Sequence, residues 1–109
     1  MVESLRRAST MKKRPPQLTR QTMLIMSILM RSGEPLAGSE IAVASRLASG
    51  TLYPILIRTE EAGWLKSEWE DKEPGSTEPR RRLYSVTALG VRRARDEAAA
   101  WKRLTEVFA

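Results

Sequence analysis

Apolar residues recur along this chain at spacings of three and four in four separate stretches, and strand-forming residues gather in two short runs between the third and the fourth. Leu24, Ile25, Ile28 and Leu29 mark the buried face of a first helix. Thr19 suits its N-cap, because the hydroxyl accepts an orphan backbone N–H. Leu18 before the cap and Met23 after it form a hydrophobic staple, and Gly33 supplies a left-handed stop. A short second helix is expected from Gly38 to Arg46, with Ile41, Ala42 and Ala44 as its small apolar positions. A tight turn, Leu47-Ala48-Ser49-Gly50, leads into a third helix through Leu52, Ile55, Leu56 and Glu60, closed by Gly63. Proline is tolerated only near the first helical turn, so Pro54 places the start of this helix close to Ser49 or Thr51. A longer helix followed by two short ones around a tight turn is the helix-turn-helix pattern.

The runs Trp64-Leu65-Lys66-Ser67-Glu68-Trp69 and Leu83-Tyr84-Ser85-Val86 read as strands. Between them, Asp71 to Pro79 is rich in Pro, Gly, Ser and charge, and Pro74-Gly75 marks a turn. A hairpin placed directly after the third helix is a wing. Thr87 then caps a last helix of about twenty residues. Its apolar positions Val91, Ala94, Ala98, Trp101, Leu104 and Phe108 form a stripe that wants a partner helix, and a second copy of the chain is the expected partner. The expectation is therefore a mainly α fold with a two-stranded β wing. It comprises a flexible basic arm (1–17), a winged helix-turn-helix domain (18–86) and a dimerisation helix (87–109).

Composition narrows the chemistry. A chain of 109 residues, 41% hydrophobic, builds one small core and gains from a partner that covers more apolar area. With no cysteine and no histidine, disulfides, thiol nucleophiles, Cys/His zinc sites and histidine acid–base chemistry are excluded. No cofactor and no metal site is expected. The net charge of +6 and pI near 10.3 favour a polyanionic partner. Residues 1–20 carry six basic groups against Glu3 alone, whereas the rest of the chain is nearly balanced, with thirteen basic and twelve acidic groups. The folded part must therefore concentrate its charge locally to hold an anion. No stretch reaches the length of a membrane span and no signal-peptide core is visible, so a cytoplasmic location and no membrane partner are expected. Met11, ahead of Lys12-Lys13-Arg14-Pro15-Pro16, reads as an alternative start that would make the first ten residues dispensable.

The run Ser49-Gly50-Thr51-Leu52-Tyr53-Pro54-Ile55-Leu56, then Glu61-Ala62-Gly63-Trp64-Leu65, then Arg81-Arg82-Leu83-Tyr84-Ser85-Val86-Thr87-Ala88-Leu89-Gly90 resembles the PadR family of transcriptional regulators over roughly Leu18 to Phe108. The resemblance implies a winged-helix repressor, dimeric through its first and last helices, that binds an inverted-repeat operator. The short terminal helix is similar to the compact subgroup of that family. The chain departs from the family in three places. Gly38-Ser39 stands where many members have Gly-Tyr, and Thr59 stands where a leucine is usual. The chain also ends soon after the terminal helix, leaving no room for a separate sensor domain.

Candidate DNA contacts follow from these elements. The N-terminal part of the third helix would enter the major groove, with Ser49 at its start. The resemblance places Thr51 and Tyr53 at the DNA backbone, against the alternative that Thr51 is a cap and Tyr53 is packing. Arg46 and Arg58 flank the helix as further candidates, Arg58 being equally readable as a solvated charge. In the wing, Lys72, Arg80 and Arg82 are candidates for groove insertion or phosphate clamping. Strand alternation sends Arg81 to the opposite face. The basic arm reads either as a phosphate-tracking tail or as a solubilising leader. Trp101, with Ala98, Leu104 and Phe108, marks a dimer interface, where the resemblance implies a small planar hydrophobic effector and the simpler reading is interface packing. Trp64 and Trp69 read as core or wing-root packing.

The function these residues imply is sequence-specific DNA binding by a homodimer that represses transcription, with double-stranded DNA, a second copy and a small hydrophobic effector as partners. An enzyme is not expected, since Glu60 and Glu61 have no partnering base, metal cluster or phosphate loop. The rival is a winged helix used for protein interaction or as a phage or plasmid accessory DNA-binding factor. Charge geometry separates these, because an interaction module would present an apolar patch where a DNA reader presents cations.

Overall fold

Thr19 opens the first helix by accepting the N–H of Thr22 at 3.2 Å, and Gly33, at φ 73°, closes it. This computed structural model describes residues 16–109, so the basic arm, apart from Pro16 and Gln17, lies outside the described residues. Helix α1 (Arg20–Ser32) is followed by a two-residue strand β1 (Leu36–Ala37), helix α2 (Gly38–Ser45) and helix α3 (Ser49–Glu61). The hairpin strands β2 (Leu65–Trp69) and β3 (Arg82–Val86) come next, then helix α4 (Ala88–Val107).

The face of α1 that enters the core differs from the expected one. Thr22, Ile25, Met26 and Leu29 are buried, whereas Leu24 is 39% exposed and Ile28 only half-buried. Both sets obey helical spacing, and the choice between them is made by what packs against the helix. Leu18 is buried and Met23 packs on the same core, as the staple requires.

Helix α2 ends at Arg46, whose φ of 61° is left-handed and whose N–H bonds the Ala42 carbonyl. Helix α3 begins at Ser49, which puts Pro54 at its sixth residue, in the second turn rather than the first. The missing N–H there leaves the Gly50 carbonyl without its helical donor, and the exposure of Gly50 lets water serve it. Buried Thr59 satisfies its hydroxyl on the carbonyls of Ile55 (2.7 Å) and Leu56 (3.1 Å). A threonine thus fits this buried position, because the helix backbone itself accepts the proton.

The sheet is antiparallel in the order β1-β3-β2. The two-stranded wing pairs Leu65 with Val86 and Trp69 with Arg82, and β1 adds a third strand at its root through Leu36 and Tyr84. Two residues carry no periodicity, so only the partner strand defines β1. At the wing tip the Ser76 N–H bonds the Glu73 carbonyl around Gly75, at φ 88°. Trp64, Leu65 and Tyr84 join Ile41, Leu52 and Leu56 in one core. No helix of the described residues is long and apolar enough to cross a membrane.

Thr87 fixes where α4 starts. Its hydroxyl donates to the Gly63 carbonyl at 2.6 Å and accepts the Gly90 N–H at 3.0 Å, while its own N–H bonds Trp64. Gly90 lies so close to the Trp64 carbonyl that a Cβ there would collide with backbone. The start of α4 is thereby joined to the end of α3. Ala94 is the last buried residue of α4, and among the described residues nothing covers the second half of the helix.

Candidate nucleic-acid interface

Helix α3 buries Leu52, Ile55, Leu56 and Thr59, and at 3.6 residues per turn its opposite side is the line Gly50, Pro54, Ile57, Glu61. Tyr53 flanks this line on one side; half-buried Thr51 and exposed Arg58 flank it on the other. At the N-terminus Ala48 offers no side-chain cap, and the N–H groups of Thr51 and Leu52 both turn to its carbonyl. The first helical N–H groups, on exposed Ser49 and Gly50, are left for solvent or for a phosphate oxygen. Arg46 stands in the turn just before them, exposed.

Tyr53 is 41% exposed and its ring lies over Gly38, where a Cβ would come within 2.6 Å of the phenol oxygen. Glycine at the head of α2 is therefore what allows the tyrosine to lie there. Tyr53, Gly38 and Ser39 share a shallow pocket of about 170 Å3 with Arg81 and Arg82. The side chains around it offer hydroxyl and guanidinium donors, the groups a phosphate recruits. Arg58 lies apart from these groups, lining a cavity with Gln17, Thr19 and Gln21 at the head of α1.

Carboxylates hold much of the wing's positive charge. Arg81 grips Glu70 through Nε at 3.1 Å and a terminal nitrogen at 3.1 Å, with Glu40 at 3.9 Å. The hydrogen bond from Arg81 holds the Glu70 carboxyl below its ordinary range and in turn raises the guanidinium. Arg82 donates to Ser67 at 2.8 Å, faces Glu60 at 3.6 Å and lies over the Trp69 ring at 5.1 Å. Arg80 bonds the Glu70 carbonyl, and Lys72 reaches Ser76 at 3.4 Å. Alternation would place Arg81 and Arg82 on opposite faces, yet both line the Tyr53 pocket. The regular strand begins at Arg82; the Arg81 carbonyl still accepts the Glu70 N–H, but the Arg81 N–H turns to the Glu70 carboxylate, so the pleat is broken at this residue. Sequence reasoning missed Arg81 for that reason, and no local signal marks its turn toward the pocket.

Far from α3, Trp101 donates its indole N–H to Glu97 at 2.7 Å, and Glu97 also meets Arg93 at 3.9 Å. One edge of the indole is thus tied to its own helix. Leu104 and Phe108 are exposed, at 60% and 82%, and Ala98 lies on the same uncovered stretch. Trp64 is core, as its context implies, whereas Trp69 is 54% exposed at the tip end of the hairpin strands, paired with Arg82 and covered only by its guanidinium, rather than packed at the wing root.

A helix-turn-helix with a two-stranded wing, joined at its root by β1 and extended by a long terminal helix, defines a winged-helix regulator. The chain belongs to the PadR-like family of transcriptional regulators, whose family model matches residues 30–96. It is therefore a DNA-binding regulator and not an enzyme. No curated protein sequence matches the chain. Among solved structures it is similar to a PadR family transcription regulator from Clostridium difficile R20291 at 29% identity and TM-score 0.69, covering 82% of this chain and 94% of that one. A PadR-like transcription factor from Bacteroides fragilis is similar at 30% identity and TM-score 0.65, covering 82% of this chain and 89% of that one. NadR, solved in complex with 4-hydroxyphenylacetate, is similar at 25% identity and TM-score 0.57, covering 84% of this chain and 63% of that one.

Proposed function

We propose that this PadR-family chain is a homodimeric repressor that binds an inverted-repeat operator. The observation that carries the reading is the presence of two uncovered surfaces on one subunit. Helix α3 offers an exposed face with an uncapped N-terminus beside Arg46, and α4 offers an apolar end that no described residue covers. A two-fold axis along α4 puts two α3 helices about one DNA turn apart in successive major grooves, with the wings on the flanking backbone. Ser49, Thr51 and Tyr53 contact phosphate and sugar, and Arg46, Arg58, Lys72, Arg80 and Arg82 supply the field. Bound over a promoter, the dimer excludes polymerase. Such a role fits a cytoplasmic protein.

A planar hydrophobic effector enters the dimer beside Trp101 and changes the spacing of the two α3 helices. The bonds of Thr87 to Gly63 and Trp64 support such coupling, since a displacement at the head of α4 reaches the end of α3 directly. NadR, a similar fold solved with 4-hydroxyphenylacetate, supports a small aromatic effector, although that ligand also carries a carboxylate. One observation favours the rival protein-interaction reading: the outward line of α3 carries exposed Ile57, and the wing cations Arg81 and Arg82 face carboxylates.

The deciding experiment is fluorescence anisotropy of a duplex from the region upstream of the gene, titrated at several salt concentrations beside a scrambled duplex. Specific binding with a steep salt slope is expected. Equal binding to both duplexes would replace repression by an accessory role, and no binding at low salt would sink the DNA reading.

A further inference from the structure

The most outward line of α3 is short of hydrogen-bonding side chains. Gly50 has none and open space around it, Pro54 has only a ring, and Ile57 is 57% exposed in mid-helix. Glu61 ends the helix and only accepts hydrogen bonds. Arginine, lysine, asparagine and glutamine, which read guanine and adenine through paired hydrogen bonds, are all missing from this line. The flanking polar residues are placed elsewhere. Tyr53 lies over Gly38 beside Arg81 and Arg82, and Arg58 lines the cavity at the head of α1. Arg46 precedes the helix altogether.

An apolar side chain exposed on a soluble domain gains free energy when it meets another apolar group and releases water. On the floor of the major groove the exposed apolar group is the 5-methyl of thymine. Resting on the reading that α3 enters that groove, we infer that base recognition by this helix is apolar, with Ile57 and Pro54 packing on thymine methyls. The polar flanks hold the backbone and set the register. Gly50 lets the helix approach closely enough for the short Pro54 ring and the Ile57 branch to touch the base edges. A protein partner on the same line is the competing occupant. DNA is favoured because the line starts at an uncapped helix N-terminus, has exposed Arg46 in the turn just before it, and lies between Tyr53 and Arg58.

The test uses the full chain. Duplexes enriched from a random-sequence pool by the wild-type protein are resynthesised with single thymines replaced by deoxyuridine, which deletes the methyl and keeps every hydrogen bond. At the contacted positions wild-type affinity should fall roughly fourfold per methyl, about the value of one buried carbon. Ile57→Ala, a surface change that leaves the core untouched, should lose affinity for the thymine duplex and lose little more on the deoxyuridine duplex. That non-additivity identifies direct contact. If deoxyuridine at every position shifts wild-type affinity less than twofold, the inference falls while DNA binding stands. It falls as well if Ile57→Ala binds the thymine duplex like wild type, which would leave the line to a protein partner. If no sequence is enriched and no duplex is bound, the DNA reading itself falls and the inference with it.

Discussion

Among the described residues other than glycine, Arg46 alone takes a positive φ, and it stands in the turn between α2 and α3. Its Cβ makes the left-handed conformation cost roughly 1 kcal/mol relative to glycine. A residue held at such a cost at the edge of the proposed recognition helix points to work for its side chain. Arg46→Gly should therefore stabilise the fold by about 1 kcal/mol in urea denaturation. The same variant should bind DNA more weakly, with a salt slope lowered by about 0.9 for each phosphate that the guanidinium neutralises in the wild type. The opposing signs make the prediction sharp. Stabilisation with unchanged DNA affinity would mean that Arg46 is only a helix stop. Tyr53 illustrates the same scale from the packing side, since its position over Gly38 depends on one missing Cβ.

At the scale of elements, what was legible in the sequence depended on how local the signal was. Thr19, Gly33 and Thr87 act within a few residues of themselves, and each caps or stops its helix as expected. The wing turn at Pro74-Gly75 and the long α4 were legible for the same reason. Strand β1, the choice of Met26 over Leu24 for the core, and the route of Arg81 into the Tyr53 pocket depend on partners distant in sequence. Candidate residues could be named from the sequence, but which of them lie together, and how their charge is distributed, could not: Tyr53 shares a pocket with Arg81 and Arg82, while Arg58 lies apart. Glu40, Glu60 and Glu70 reach the wing arginines from α2, α3 and the far side of the hairpin. The joint between α3 and α4 carries its own prediction. Gly90→Ala forces a methyl against the Trp64 carbonyl and the Val86 side chain, and backbone cannot yield as a flexible side chain does. We expect a loss of about 1–3 kcal/mol by chemical denaturation. The loss of DNA affinity should outlast restoration of folding at low temperature, because the displaced element sets the angle between the two helices. A destabilisation too small to resolve would show that the approach relaxes freely.

For the whole molecule, the second half of α4 poses the main energetic question. After Ala94 no residue of the helix is buried, and Leu104, Val107 and Phe108 are mostly in contact with solvent. A helical segment of that length is marginal in water by itself, so its order calls for an apolar partner. Leu24, exposed on α1, adds apolar surface that the subunit's own core does not use. Both surfaces fit a second copy. In that case the melting temperature rises with protein concentration, because association stabilises only the folded state. Leu104→Asp places a charge in the proposed seam without touching the subunit core. It should reduce the mass in light scattering from twice 12.3 kDa toward that of one chain. It should also abolish the concentration dependence of melting and lower the helical signal as the end of α4 frays. DNA affinity should fall by about 10²–10⁴, since two half-sites would no longer be held by one linked pair of reading heads. A Leu104→Asp protein that keeps the dimer mass would sink the α4 seam and move the search for the interface to α1. A wild-type protein that is monomeric at all concentrations would leave each α3 to bind a single half-site.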